Sequence, residues 1–203
     1  CFAGWQVQPA HRSVQGVLEA ALEDLHGAHV AVTGAGRTDA GVHASGQVAS
    51  FRTGLALTAA KLADALNARL PRDVRILAGE EAPDGFDARR SARERTYRYY
   101  LYPAGVGLPH LRHYCWRVHR LPETARLDEV AAALVGEHDF ALFAASGGSE
   151  VTTVRRVTRA SFYPQGPFVV FEIAANAFLR KMVRSALGTI LAVAAAGGGA
   201  AEL

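Results

Sequence analysis

The stretch Gly34-Ala35-Gly36-Arg37-Thr38-Asp39-Ala40-Gly41-Val42-His43 constrains this chain more than any other. Apolar residues alternate before it (Val30, Val32) and again after it (Val48, Phe51). That pattern reads as strand, tight loop, strand. Glycine opens backbone conformations closed to other residues, so the loop can turn sharply and present Arg37 and Asp39 as a fixed pair. Loops set on a rigid scaffold carry function more often than the elements they join. A neighbouring arginine favours the ionised form of a carboxylate. Such a group cannot donate a proton, but it can act as nucleophile, base or metal ligand. The plainer alternative is a turn aspartate that hydrogen-bonds its own backbone.

Two familiar glycine loops are excluded. A dinucleotide-binding turn starting at Gly34 needs glycine at position 39 and a helix next; Asp39 stands there, and a strand-like alternation follows. A phosphate-binding P-loop ends in Gly-Lys-Ser or Gly-Lys-Thr, and no lysine occurs before Lys61.

The rest of the chain alternates helix and strand signals. Ser13 is placed to cap a helix through Val14, Val17, Leu18, Ala21, Leu22 and Leu25, and Gly27 to end it. Strands are expected at 29–32, 47–52 and 74–78, with a second helix capped by Thr58 between the last two. This is the split βαβ order, if a strand precedes it. Pro83-Asp84-Gly85 is the natural linker, which divides the chain into units at 1–85 and 86–203. In the second unit, strands are expected at 96–101 and 114–118 and a helix at 127–135. A hairpin follows, 154–162 with 168–173, around Pro164-Gln165-Gly166-Pro167. Tyr97, Tyr99 and Leu101 fall on one face of their strand, Arg98 and Tyr100 on the other. Asn176 is placed to cap a last helix, and Gly197 to Gly199 read as a flexible tail. The expected class is α+β: two split-βαβ, ferredoxin-like units with mainly antiparallel sheets, joined side by side with a cleft between them.

Composition narrows the function classes. Half of the 203 residues are apolar, enough for a real core. No run is long and apolar enough for a membrane span. The chain opens at Cys1 with no secretory signal, and its N-terminus reads as incomplete. Cys1 and Cys115 are the only cysteines, which argues against a disulfide scaffold and for a reducing, cytoplasmic location. Net charge is +3, and every basic residue except Lys61 and Lys181 is arginine. Arginine's planar fork grips phosphates and stacks on bases. Arg89, Arg90, Arg93, Arg95 and Arg98 form one cluster, and Arg155, Arg156 and Arg159 another. Basic stripes with nearby aromatics suit a nucleic-acid backbone. His110, His113 and Cys115 are close together but match no common zinc pattern, so no metal site is expected.

These motifs resemble one family along nearly the whole chain. Ala35 to His43, with Gln47-Val48, is similar to the signature of the tRNA pseudouridine synthase A (TruA) family. Phe2-Ala3-Gly4-Trp5-Gln6 and Ser13-Val14-Gln15 resemble its N-terminal segment. Phe86-Asp87-Ala88-Arg89 with Tyr97-Arg98-Tyr99 resembles its second motif, and Gly136 to Phe140 the loop before its late hairpin. Asn176 to Arg180 with Met182-Val183-Arg184 resembles the third, although Ser185 stands where the family usually has Asn.

The resemblance implies a tRNA pseudouridine synthase acting at positions 38 to 40 of the anticodon stem-loop, as a homodimer, with no cofactor. It assigns the nucleophile to Asp39, contact with the base to Tyr97, and support of the carboxylate to Arg184. Arg37 would hold a phosphate or help extrude the nucleotide. His43, Arg89 and Arg180 are candidate RNA contacts; His43 more simply fastens the loop, and Arg180 would share a helix face with Arg184. Two rivals stand beside this reading. One is a catalytically idle RNA-binding module on the same scaffold. The other is a small-molecule hydrolase using Asp39 with Asp87 or His43 as partner.

Overall fold

The computed structural model describes residues 2–147, 151–199, 201 and 203. It shows the expected α+β class: among the described residues there are four α-helices and two sheets. Cys1 lies outside the described residues. The chain divides into two compact units, Cys1–Ala92 and Arg93–Leu203.

In the first unit, helix α1 (Val14–His26) and helix α2 (Ala59–Arg69) start where their caps predict. Ser13 Oγ accepts from the Gly16 N–H, and Thr58 Oγ1 from the Lys61 N–H. Gly27 closes α1 in the left-handed region at φ 71. The helices bury Leu18, Ala21, Leu22, Leu62 and Leu66 around Trp5 and Val32. The sheet is smaller than the alternation suggests. Strand β1 (Thr33–Gly34) pairs antiparallel with β2 (Ala49–Ser50), and residues 29–32 and 74–78 carry no ladder.

The reason lies in who supplies their backbone partners. The Val32 N–H donates to Glu19 Oε1 and its carbonyl accepts from Gln15 Nε2, both at 3.1 Å. The Asn67 side chain does the same for Ile76, donating to its carbonyl and accepting from its N–H at 2.8 Å each. Helix side chains here satisfy the groups that a neighbouring strand would otherwise take.

The second unit is built on a five-stranded sheet. Its strands are β3 (Arg95–Pro103), β4 (Trp116–Val118), β5 (Gly136–Asp139), β6 (Val154–Gln165) and β7 (Phe168–Ala175). They lie in the order β4-β3-β7-β6-β5. Only the β3–β4 pair is parallel. Helices α3 (Thr124–Ala132) and α4 (Met182–Ala195) contribute Leu127, Val130, Met182, Leu187 and Ile190 to a core with Leu101, Phe162, Phe171 and Ile173. The expected alternation holds. Tyr97 and Tyr99 pack against that core, while Arg98 ion-pairs with Glu172, its partner across the ladder, at 2.5 Å. A bulge between Val157 and Arg159 lets Val157 and Ala160 both reach the core.

Four details depart from expectation. Gly136 to Asp139, taken as a loop, is an edge strand on β6. Asn176 does not cap α4. Its Oδ1 accepts from the Arg156 and Ala177 N–H groups, and α4 starts at Met182 after Lys181 in the left-handed region at φ 62. Arg180 therefore precedes the helix and does not share a face of it with Arg184. Gly197 and Gly198 are fastened, since the Arg126 guanidinium donates to both carbonyls. No helix among the described residues is long and apolar enough to cross a membrane.

Candidate active site

The loop from Gly34 to His43 is held from three sides. Behind it, the Ala35 N–H donates to Val48 O at 2.8 Å, and Gln47 Nε2 to Gly36 O at 2.7 Å. Inside it, the Val42 N–H donates to Asp39 O, and Gly41 turns the chain at φ 78. Against it lies the N-terminal segment. Gly4 forms a β-bridge with Asp39, and the Trp5 N–H donates to Thr38 O at 3.0 Å. The other edge of that segment holds the start of α1, through Val14 N–H to Gly4 O and Gln15 N–H to Trp5 O.

Glycine is required on both sides of this clamp. Gly4 sits at φ +112, and a Cβ there would come within 2.5 Å of Thr38 O. At Gly34 a Cβ would meet the Trp5 ring at 2.4 Å. Sequence reasoning noted Gly4 and Trp5 only as part of a resemblance. Their work is visible only once the chain folds back onto the loop.

The result is an exposed carboxylate on a pinned backbone. Asp39 and Arg37 are both exposed, and so is His43. Beside the loop is a cavity of about 160 Å³ lined by Trp5, Gln6, Gln15, Thr33, Arg37 and Arg89, among others. Arg37 and Arg89, singled out separately in the sequence, come together here. Arg89 is carried by a turn in which Asp87 Oδ1 accepts from the Arg89 and Arg90 N–H groups at 2.9 and 2.8 Å. Asp87 is thereby engaged as a turn former. The buried Ala88 ties that turn to β2 by donating to Ser50 Oγ.

The second unit carries the other candidates. Tyr97 meets Phe178 edge-on, with ring centroids 5.0 Å apart. Arg184 lines a cavity of about 410 Å³ with Tyr99, Cys115, Trp116 and Leu187. The Cys115 thiol donates to Leu111 O at 3.3 Å. Arg180 Nη1 donates to Ser146 O, and Arg180 O accepts from the Ala145 N–H, so this arginine braces the segment after Phe143. A charged group that the sequence reading passed over is Glu172. It is buried on β7 between Arg98 and Arg159, at 2.5 and 2.8 Å. The Arg98 hydrogen bond, aided by the Arg159 charge, holds its carboxyl below the usual carboxylate range against the pull of burial.

The chain is similar to known proteins. A family profile described as tRNA pseudouridine synthase matches residues 1–89 and 130–200. A tRNA pseudouridine synthase A of Roseiflexus sp. (strain RS-1) is 48% identical over 197 residues, covering 95% of this chain and 72% of the relative. One from Geotalea uraniireducens (strain Rf4) is 41% identical over 192 residues, covering 95% and 79%. One from Treponema denticola is 39% identical over 196 residues, covering 94% and 73%. The profile match takes in the loop and its flanking clamp, the relatives' identity extends over most of the chain, and the chain belongs to the tRNA pseudouridine synthase family.

Proposed function

We propose that this chain isomerises uridine to pseudouridine at positions 38 to 40 of the tRNA anticodon stem-loop, with Asp39 as nucleophile. The observation that carries this is the pinned loop, which offers an exposed carboxylate on a backbone fixed by Gly4 and Trp5. The Asp39 carboxylate attacks either the ribose anomeric carbon or the uracil ring, and the bond from N1 to the ribose breaks. The base turns within the site, its C5 bonds to the ribose, the bond to Asp39 breaks and returns the free carboxylate, and the C5 proton is lost as N1 gains one. Atoms balance within the nucleotide, so no outside donor or oxidant is consumed. The target must first leave its stack, at a cost of a few kcal/mol. Arg37 favours extrusion through the RNA backbone, Tyr97 offers the base an aromatic face, and Arg184 supports the charge of the carboxylate. The enzyme works as a homodimer in the cytoplasm.

The direct test is to map pseudouridine in unmodified tRNA after incubation with the protein. Modification at positions 38 to 40 is expected. Pseudouridine elsewhere would overturn the positional assignment, and none at all would favour the idle binding module.

The clamp carries its own expected outcome. Gly4→Ala pushes a Cβ against Thr38 O and shifts the neighbouring Asp39. Misplacing a reacting group by about 1 Å can cost ~10²-fold in rate. kcat should therefore fall by up to about that factor while tRNA affinity holds. Gly27→Ala is the matched control: φ is +71, but nothing lies within 4 Å of the added Cβ. It should lose stability through backbone strain and keep kcat. Equal effects on kcat would mean that Gly4 matters only for folding.

A further inference from the structure

The 160 Å³ cavity beside the loop has a make-up that the isomerisation itself does not require. Two arginines reach it from segments far apart in sequence, and no acidic residue is among its lining residues. Arg37 has no hydrogen-bond or ion-pair partner among the described residues. The Arg89 backbone is preset by the Asp87 turn and anchored on β2 through Ala88 and Ser50. Gln6 and Thr33 add polar side chains to the wall. Size decides what such a space can take. It lies below the ~300–1,000 Å³ of small-molecule pockets and equals about five water volumes at ~30 Å³ each. That suits a tetrahedral anion better than a whole nucleotide.

Resting on the function proposed above, we propose that this cavity is a subsite for one backbone phosphate of the bound RNA, shared between Arg37 and Arg89. Phosphate contacts set register and orientation without reading sequence. Arg37 is two residues from Asp39 on the same pinned loop, so a phosphate held there fixes which nucleotide stands before the carboxylate. The cavity would thus act as the ruler of the site.

The test is the salt dependence of tRNA binding. Each phosphate neutralised contributes about 0.7–0.9 to the slope of log affinity against log salt. Arg37→Gln and Arg89→Gln should each flatten the slope by one such step. The double variant should flatten it by the same single step, because both residues serve one phosphate. A two-step loss means separate phosphates and overturns the shared subsite, as does no change. A second arm replaces the phosphates of an anticodon stem-loop one at a time by neutral methylphosphonate. One linkage should weaken binding to the wild type and leave the double variant unaffected; if no linkage behaves so, the subsite is wrong. Pseudouridine yield on the same RNAs separates the two ideas. Normal wild-type yield with unchanged slopes in the variants removes the subsite alone, and a one-step slope loss in the variants, with no pseudouridine made by the wild type, removes the activity alone.

Discussion

Asp39→Asn should abolish pseudouridine formation, by at least about 10³-fold, without loosening the RNA. On the proposed function, removal of the nucleophile leaves only binding and orientation, and comparable deletions elsewhere cost ~10⁴ to 10⁶. Asparagine keeps the shape of the side chain. The clamp at this position is made by main-chain atoms of Gly4, Trp5, Thr38 and Asp39, so the loop should stay in place. The sign of the binding change is also fixed. A carboxylate near phosphates repels them, so its neutralisation should leave tRNA affinity equal or slightly higher. Single-turnover assays with filter binding on the same preparation would check both halves. More than a tenth of wild-type rate in the variant would exclude Asp39 as nucleophile. A wild type that binds tRNA, makes no pseudouridine and is matched by Asp39→Ala would point to the idle RNA-binding module.

The largest expected effect on stability is at Phe171. It is fully buried on β7, between β3 and β6 in the sheet, and stacks on Phe162 with centroids 4.7 Å apart. Truncation of a buried phenylalanine to alanine costs ~3–5 kcal/mol, from lost transfer energy plus the cavity left behind. Against a total of about 5–15 kcal/mol for a typical domain, that is a large share. The two tryptophans separate the readouts, since Trp5 belongs to the first unit and Trp116 to the second. In a urea titration of Phe171→Ala, the Trp116 signal should move to much lower denaturant with its m-value unchanged. A loss below about 1 kcal/mol would mean that the site relaxes around the missing ring, contrary to the packing described.

What the sequence disclosed was what neighbours along the chain decide. Ser13, Gly27 and Thr58 were legible as caps because a cap acts within three or four residues. The hairpin around Gly166 was legible for the same reason. The alternation of Tyr97 and Arg98 needs only the pleat of a strand. What escaped was set by partners distant in the chain. Residues 29–32 and 74–78 look like strands, but Gln15 and Glu19 take the backbone bonds of Val32, and Asn67 those of Ile76. Asn176 resembles a cap until Arg156 claims its carbonyl oxygen. At the site, Asp39, Arg37 and Arg89 were each visible as residue types in a suggestive context. The sharing of one cavity by the two arginines was not visible, nor was the need for glycine at position 4. Glu172 sits in an apolar run and gains its meaning only from the register that sets it opposite Arg98.

That register has a further consequence, for how the chain is made. Arg98 and Glu172 lie 74 residues apart, so the middle of the large sheet cannot close until β7 has left the ribosome. At about 5–20 residues per second, β3 waits on the order of 4–15 s with its tyrosines uncovered. A bare strand of that kind invites association with other nascent chains, and the charges at Arg95 and Arg98 are spaced to discourage it. Arg98 thus keeps a charge on β3 until Glu172 emerges to pair with it.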